Sequence, residues 1–271
     1  RVPSNPPLLP DKLVALFSFG RSGTGLLHSL IDGHPEISTL PSIYLQGYFN
    51  QGVWSKMAAK GWRGLPEQFV EDFAVLFDAN SPYPIPSRKT DNTSFLGKKE
   101  GMANVGVNRN ESLSLDKGAF CNEAHRLLEA HDKINPKSFL MVIHAAFEKV
   151  LKTNTEKKTV FYHIHCPENF TKLNFLRHVP DARLVMMIRE PVQSCESWIH
   201  VLFKENNYTQ LIYRIIGMLF AIDQIAFRTQ DSIGVRLEDI KKQPKETMQA
   251  LCSWLGVSEA QSLYHMTAQG K

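Results

Sequence analysis

Six consecutive residues, Gly20-Arg21-Ser22-Gly23-Thr24-Gly25, combine the residue types that hold a phosphate group. The three glycines let the backbone wrap closely around an anion, and the turn opens a predicted helix whose first amides can point at it. Ser22 and Thr24 add hydroxyl donors, and Arg21 adds a planar cation that suits phosphate oxygens. This combination predicts a phosphate-binding loop; a glycine-rich turn without a ligand is the alternative.

The residues after this loop argue against ATP or GTP hydrolysis. Gly20 and Gly25 fit the first part of the G-x-x-x-x-G-K-[S/T] motif, but Leu26-Leu27 stand where its Lys and Ser/Thr belong. In that motif the lysine contacts the outer phosphates and the hydroxyl binds Mg²⁺. The loop is therefore predicted to hold a phosphate without metal-assisted phosphoryl transfer.

A second basic position is Arg189, which follows the apolar segment 184–188. Glu190-Pro191 comes next, a start signal for a helix, and Ser197 lies in that predicted helix, eight positions after Arg189. Ligands of parallel sheets bind beyond such strand ends, so Arg189 is a candidate ligand-binding residue. An arginine paired with Glu190 is the alternative.

Two histidines, His163 and His165, close another predicted strand. An imidazole with an ordinary pKa of about 6.5 can accept a proton at neutral pH. Residues two apart on a strand share a face, so both rings are predicted on one side of the sheet. Either can be a general base, and hydrogen-bonded core histidines are the alternative. Glu67 and Glu71 are further candidates for the base.

These positions lie far apart in the chain, and the predicted elements bring them together. The predicted strands are Lys12–Ser18, Thr159–His165, Arg183–Ile188 and Ile233–Leu237. The predicted helices are Gly23–Asp32, Pro136–Lys152, Asn169–His178, Val192–Phe203, Tyr208–Arg228 and Pro244–Leu255. The alternation predicts an α/β fold, a doubly wound parallel sheet with a P-loop-like strand–turn–helix. Ligands of such sheets bind beyond the carboxyl ends of strands, where both arginines fall.

One domain over residues 1–271 is predicted, with 42–135 as an acceptor-binding insertion or a helical and loop lid. Part of this segment is rich in proline, glycine and asparagine, which favours loops. Its aromatic residues are irregularly spaced and belong either to an acceptor pocket or to the core: Tyr44, Tyr48, Phe49 and Trp54.

The composition is that of a globular protein, with 43% apolar and 21% charged residues and a net charge of +4. No apolar run reaches the length of about 18–20 residues that a membrane span needs. No Lys/Arg-rich run indicates nucleic acid. The cysteines are widely spaced, so reduced thiols are predicted and a metal site is not: Cys121, Cys166, Cys195 and Cys252.

Three motifs, in this order, resemble those of sulfotransferases that use 3′-phosphoadenosine 5′-phosphosulfate (PAPS). Arg21-Ser22-Gly23-Thr24 after a strand is similar to the family's 5′-phosphosulfate loop, although cytosolic members have an aromatic residue where Leu26 stands. The segment 179–191 with Ser197 resembles the family's 3′-phosphate signature, an arginine and a serine eight positions apart. The segment 234–240 with Trp254-Leu255-Gly256 resembles the closing strand and helix.

The resemblance implies transfer of a sulfuryl group from PAPS to a hydroxyl or amine, by in-line displacement and without a metal. The product is adenosine 3′,5′-bisphosphate. His163-Ile164-His165-Cys166-Pro167 is similar to a Thr-His-x-Pro segment of cytosolic members, so His165 is the implied base and His163 its partner or substitute. The resemblance also implies that Arg21 stabilises the leaving phosphate. The implied donor-binding residues are Arg21, Ser22, Gly23, Thr24, Gly25, Leu26, Arg189 and Ser197.

Two other functions are compatible with the phosphate loop, a small-molecule or nucleotide kinase and a catalytically silent nucleotide-binding module. The acceptor is expected to be a small molecule or a carbohydrate, and no nucleic acid is expected as a partner. A cytoplasmic protein is expected. Because the sequence begins at Arg1, a Golgi-lumenal or secreted context stays open.

Overall fold

The structure is a computed structural model that describes residues 9–18, 21–41, 45, 47–83, 95–96, 102–153, 157–164, 169–204, 206–222 and 231–270. Its strands are β1 Lys12–Ser18, β2 Ile37–Thr39, β3 Pro82–Tyr83, β4 Phe95–Leu96, β5 Ala103–Val105, β6 Glu111–Ser112, β7 Thr159–Ile164, β8 Arg183–Ile188 and β9 Ser232–Arg236. Its α-helices are α1 Thr24–Ile31, α2 Gln51–Met57, α3 Leu65–Asp72, α4 Lys117–Leu128, α5 Pro136–Val150, α6 Asn169–His178, α7 Pro191–Leu202, α8 Tyr208–Ile222, α9 Leu237–Lys242 and α10 Pro244–Leu255.

Five of these strands form one parallel sheet in the order β2-β7-β1-β8-β9. β1 lies in the middle, where Phe17 is paired with Ile164 of β7 and with Met186 of β8. Because all five strands run the same way, β1, β7, β8 and β9 end at one edge, called the carboxyl edge below. The short pairs β3–β4 and β5–β6 lie outside this sheet. The predicted parallel α/β sheet is confirmed.

The sheet is covered on both faces, as its sequence pattern requires. Val14 and Leu16 of β1 face a core that includes residues of α1, α9 and α10. The alternate residues Leu13, Ala15 and Phe17 face a larger core that includes residues of α4, α5 and α6. Successive side chains of a strand point to opposite faces, so an apolar run such as that of β1 suits a strand buried on both sides.

Local capping explains where several helices begin and end. α5 starts at Pro136, preceded by a capping box in which the Asn135 side chain accepts from the Ser138 amide. α10 starts at Pro244 and is closed by Gly256, whose φ of 72° lies in the left-handed region. α8 is described as far as Ile222; residues 223–230 of its predicted extent lie outside the described residues. Across the part of the chain that the structure describes, no helix combines the length and the apolar character that crossing a membrane requires.

The described part of the segment 42–135 contributes the helices α2, α3 and α4 to the larger core. There the rings of Phe69, Phe77 and Phe120 lie close to those of Phe139 and Phe147 on α5. This described part is therefore packed against the sheet domain. Its role as an acceptor-binding insertion or lid stays a prediction.

Two of the aromatic residues in question belong to the core. Tyr48 is fully buried and its hydroxyl donates to the carbonyl of Pro136 at 3.0 Å, while Phe49 is 4% exposed. Trp54 is partly buried and packs against the same core. Tyr44 lies outside the described residues.

Candidate active site

The predicted phosphate loop connects β1 to α1, and residues 21–25 of it are described. The first helical hydrogen bond runs from the amide of Leu27 to the carbonyl of Gly23. The amides of the first turn therefore have no acceptor within the helix, which is the usual reason that a helix start attracts an anion. Ser22 is buried, Gly23 and Thr24 are half-buried, and Gly25 is exposed.

The backbone of this loop takes conformations that need glycine or support from its surroundings. Gly23 has φ 86°, and a Cβ atom there would lie 2.6 Å from Cδ1 of Leu237. Arg21 has φ 36°, which is uncommon for a residue with a side chain. Such conformations cluster at ligand-binding sites because the surrounding fold holds them in place. The loop is thus tightly shaped where it meets α9.

The two predicted phosphate-binding motifs meet at the carboxyl edge. Nε of Arg21 donates to Oγ of Ser197 at 2.5 Å, although 176 positions separate them. Nη1 of Arg189 donates to the carbonyl of Arg21 at 3.3 Å. The structure therefore brings together three of the residues that the sequence singled out in two separate motifs.

The arginine of the second motif is held by the turn that follows β8. Glu190 precedes α7, and its side chain accepts from the amide of Gln193 at 2.7 Å, which caps the helix. Among the described residues no ion pair joins Arg189 to Glu190, so the Glu190-paired alternative is not what the structure shows. Nε of Arg189 is buried and has no hydrogen-bond partner among the described residues.

A third strand end completes the site, and sequence reasoning had assigned it only a structural role. Leu237 follows β9 and packs on Gly23, while Glu238 accepts from the amide of Glu190 at 3.1 Å. Burial tends to raise the pKa of Glu238. The amide of Glu190 and the charges of Arg236 and Arg189 outweigh burial, so this pKa lies below its usual value. The signal in the sequence was an acidic residue just after a strand end, a position that sheets of this type use for ligands.

The histidine segment lies one strand away from the phosphate loop. His163 is 5% exposed, and its ring centroid lies 5.9 Å from that of His28 on α1. This burial places His163 beneath the carboxyl edge, among the rings that face α1. His165 lies outside the described residues. The assignment of His165 as the base stays a prediction.

His28 lies one turn into α1 and was not singled out from the sequence. Burial lowers its pKa, against the charge of Asp32 and a hydrogen bond with the backbone of Leu40, which both raise it. A neutral ring is therefore favoured at neutral pH. Leu26, which was predicted to contact the donor, is half-buried. It packs against the core that includes residues of α1, α9 and α10.

The two glutamates named as alternative bases are engaged at α3. Oε1 of Glu67 lies 2.7 Å from Nε2 of His125 on α4, and Glu71 accepts from the side chain of Gln68 at 3.1 Å. Burial tends to raise the pKa of Glu67, but the hydrogen bond from His125 is among the contacts that lower it overall. A lowered pKa makes Glu67 a weaker proton acceptor.

The edge as a whole can bind anions. It offers the amides of a helix start, two guanidinium groups and a hydroxyl, from segments that are distant in sequence. No group of three or more His, Cys, Asp or Glu side chains suited to a metal ion occurs within the described ranges. The arrangement can therefore hold a ligand with two separate phosphate groups and stabilise negative charge that develops near Arg21.

Fold and site define an α/β protein in which basic and hydroxyl side chains meet at the carboxyl edge of a parallel sheet. The model of the sulfotransferase family matches residues 76–261, more than half of the chain, and the protein belongs to that family. The matched region contains Arg189, Ser197 and Glu238, and the phosphate loop precedes it. No curated protein sequence matches the chain.

Solved sulfotransferase structures resemble the chain at low identity. The sulfotransferase domain from the Synechococcus PCC 7002 olefin synthase is 13% identical, with a TM-score of 0.45 over 97% of this chain and 78% of that domain. The sulfotransferase domain from the curacin biosynthetic pathway is 12% identical, with a TM-score of 0.45 over 94% of this chain and 77% of that domain. Sulfotransferase STF9 from Mycobacterium avium is 11% identical, with a TM-score of 0.42 over 96% of this chain and 66% of that protein. These similarities concern the fold alone.

Proposed function

We propose that this protein transfers a sulfuryl group from PAPS to a hydroxyl or amine of a small-molecule or carbohydrate acceptor. The observation that carries the proposal is the meeting of Arg21, Arg189 and Ser197 at one edge, where Arg21 contacts Ser197 at 2.5 Å and Arg189 contacts the carbonyl of Arg21 at 3.3 Å. One anion-binding unit suits a 5′-phosphosulfate and the other suits a 3′-phosphate. ATP lacks a 3′-phosphate, so a donor that carries one makes better use of both units.

The proposed reaction is an in-line displacement at sulfur. The acceptor oxygen or nitrogen forms a bond to sulfur while the bond from sulfur to the 5′-phosphate oxygen breaks. Adenosine 3′,5′-bisphosphate leaves, and the acceptor proton passes to a general base. Arg21 and the amides at the start of α1 stabilise the charge that develops on the leaving phosphate.

We assign the base to His165 and a supporting role to His163. The support for this division is the burial of His163 against His28, because a buried ring is poorly placed to meet an acceptor. His163 is the last but one residue of β7, so a hydrogen bond or ring contact at His163 can set the direction of the strand end. The histidine base and the donor both belong to the proposal.

The donor is tested by thermal melting with adenosine 3′,5′-bisphosphate and, separately, with ATP and Mg²⁺. A ligand that binds only the folded protein raises its stability by RT ln(1 + [L]/Kd). We expect a larger rise in Tm with the bisphosphate, and loss of that rise in Arg189→Ala.

Arg183→Ala is the matched control for the melting experiment. Arg183 is the first residue of β8, at the end opposite to Arg189, and it pairs with Asp231 at 2.6 Å. Removing its side chain therefore affects stability without changing the carboxyl edge. The bisphosphate should still raise the Tm of this variant. An equal or larger rise with ATP and Mg²⁺ in the wild type would favour a kinase and overturn the donor assignment.

Catalysis is tested by following transfer of labelled sulfate from PAPS to a panel of hydroxyl and amine acceptors. We expect His165→Ala to abolish most turnover while bisphosphate binding persists. We expect His163→Ala to lower kcat less. Bisphosphate binding without transfer to any acceptor would indicate the silent module instead.

A further inference from the structure

Glu238 is an acidic side chain that the structure fixes to the backbone next to Arg189 at the carboxyl edge. Oε1 of Glu238 accepts from the amide of Glu190 at 3.1 Å, which fixes the carboxylate beside the backbone that carries Arg189. The charge of Arg189 also contributes to the lowered pKa of Glu238, after burial, which opposes it, and after the Glu190 amide. The two groups are therefore close enough to attract each other.

Arg189 and Glu238 each have a buried polar atom that makes no hydrogen bond to a described residue. Oε2 of Glu238 and Nε of Arg189 are both buried, and neither has a hydrogen-bond partner among the described residues. An acceptor and a donor of opposite charge that are both buried without a partner at one sheet edge are unusual, because a buried polar group without a partner is costly. Meanwhile Nη1 of Arg189 is directed to the carbonyl of Arg21.

We propose that Glu238 is a positioning residue that orients Arg189 toward the 3′-phosphate of the donor. In the bound arrangement Oε2 of Glu238 accepts from Nε of Arg189, and the guanidinium turns so that its Nη groups face the phosphate. A guanidinium held on its Nε side by a carboxylate can direct both Nη groups at an oxyanion. This inference rests on the proposed PAPS donor and adds a residue to its site.

Orientation of Arg189 by Glu238 and simple charge repulsion predict opposite changes in phosphate affinity when Glu238 is neutralised. A carboxylate near a bound phosphate repels it, so simple electrostatics predicts that removing the charge of Glu238 tightens binding. Orientation of Arg189 predicts the opposite. In Glu238→Gln one amide oxygen can still accept from Glu190, while the amide nitrogen meets Nε of Arg189 with a donor in place of an acceptor.

The experiment is a calorimetric measurement of Kd for two nucleotides, adenosine 3′,5′-bisphosphate and adenosine 5′-monophosphate. We expect Glu238→Gln to weaken bisphosphate binding by about tenfold, the size of one charge-assisted hydrogen bond, and to leave monophosphate binding within about twofold. In an Arg189→Ala background Glu238→Gln should have no further effect on either Kd.

Asp239→Asn is the matched control, because it removes one negative charge at the neighbouring position of α9. We expect it to leave both Kd values nearly unchanged. Melting of each variant without nucleotide shows whether it folds.

Three results would overturn the inference: tighter bisphosphate binding in Glu238→Gln, equal weakening for both nucleotides, or additive effects in the double variant. Failure of the proposed donor is distinguishable from all three, since the wild type would then show no preference for the bisphosphate over the monophosphate.

Discussion

At the carboxyl edge, charged side chains keep buried polar atoms that make no hydrogen bond to a described residue. In the polar network of Ser38, His144, Glu148 and Lys157, by contrast, the charges are paired and buried. Lys157 and Glu148 are joined at 3.0 Å and both side chains are 7% exposed. Ser38 donates to Glu148 at 2.7 Å and lies 2.9 Å from Nδ1 of His144. The hydroxyl proton of Ser38 goes to Glu148, so Nδ1 of His144 is the donor to Ser38.

The difference separates groups that stabilise the fold from groups that bind the donor in the proposed function. In the polar network each charged group has a fixed partner and the network joins β2 to α5, while Nε2 of the neutral His144 ring is buried without a partner among the described residues. At the carboxyl edge Arg189 and Glu238 each keep a buried atom without a partner among the described residues. Open polar groups at a site cost stability and are explained when a ligand completes them. Mutations should therefore affect binding at one region and stability at the other.

The largest effect is expected for Arg21→Ala, which removes the cation that the proposed reaction places nearest the leaving phosphate. We expect kcat for sulfuryl transfer to fall by about two to three orders of magnitude, the size seen when one preorganised donor to a developing oxyanion is lost. Stability should change little, because the Arg21 side chain is exposed. Steady-state kinetics and urea unfolding measure the two quantities.

Arg177→Ala is the control for charge, since Arg177 is an exposed arginine in the last turn of α6. Its kcat should match the wild type. Comparable kcat values for Arg21→Ala and the wild type would show that the loop does not serve the reaction.

The second largest effect is expected for Glu148→Leu in the polar network. It leaves Lys157 buried without its partner, and we expect a loss of about 3 kcal/mol in the free energy of unfolding. Replacing both members, Glu148→Leu with Lys157→Met, should recover much of this loss because no lone charge remains. Urea unfolding measures both variants.

Arg126→Met serves as the matched surface control. It breaks the pair of Arg126 with Glu123 at 2.5 Å, where the arginine side chain is 55% exposed, and should cost less than about 1 kcal/mol. Bisphosphate affinity should be unchanged in all these variants. A change in affinity would contradict the separation of the two regions.

Two glycines of the phosphate loop, Gly23 and Gly25, test stability and bisphosphate binding within one region. Gly23→Ala must place a Cβ at φ 86° and 2.6 Å from Leu237, so we expect stability to fall by about 1–2 kcal/mol and bisphosphate binding to weaken. Gly25→Ala meets nothing within 4 Å. We expect unchanged or slightly higher stability for it, because alanine favours the helix, with weaker binding.

Melting and calorimetry together decide the glycine comparison. If Gly25→Ala binds the bisphosphate as tightly as the wild type, the exposed side of the first helical turn is not where the phosphate lies. If Gly23→Ala is as stable as the wild type, the contact with Leu237 adapts freely.

Local signals predicted the elements that carry strong boundaries. The helix at Pro244–Leu255 agrees with α10 at both ends because Pro244 starts it and Gly256 stops it. The helix at Asn169–His178 also agrees with α6. β2 was missed because it has three residues at the edge of the sheet and carries no alternation of its own.

The site could be predicted only where its residues belong to local sequence motifs. Arg21 and Arg189 each follow a strand, and parallel strand ends meet at one edge, so their proximity followed from the predicted fold. The role of Glu238 depends on the amide of Glu190, 48 positions away. Such a tertiary contact leaves no local pattern. The helices α2, α3 and α4 lie in the segment that was predicted as a helical and loop insertion without bounds for individual helices.

The smallest effect concerns the pH dependence of stability and sharpens the account of the polar network. Burial, followed by the charges of Lys157 and His28, lowers the pKa of His144 to about 3. The unfolded chain binds a proton at this histidine below its ordinary pKa of about 6.5, whereas the folded protein does not. The contribution of His144 to stability is therefore complete above that ordinary pKa and is lost as the pH falls from there toward the folded pKa.

Urea unfolding at pH 7 and pH 6 measures this dependence in the wild type and in His144→Gln. From pH 7 to pH 6 we expect the wild type to lose about 0.7 kcal/mol through His144, and the variant to lose less by that amount. His265→Gln is the control, because that side chain is exposed, and its pH dependence should equal that of the wild type. An unchanged pH dependence in His144→Gln would mean that the ring accepts a proton in the folded protein. In that case the polar network, like the carboxyl edge, would contain a charged group without a fixed partner.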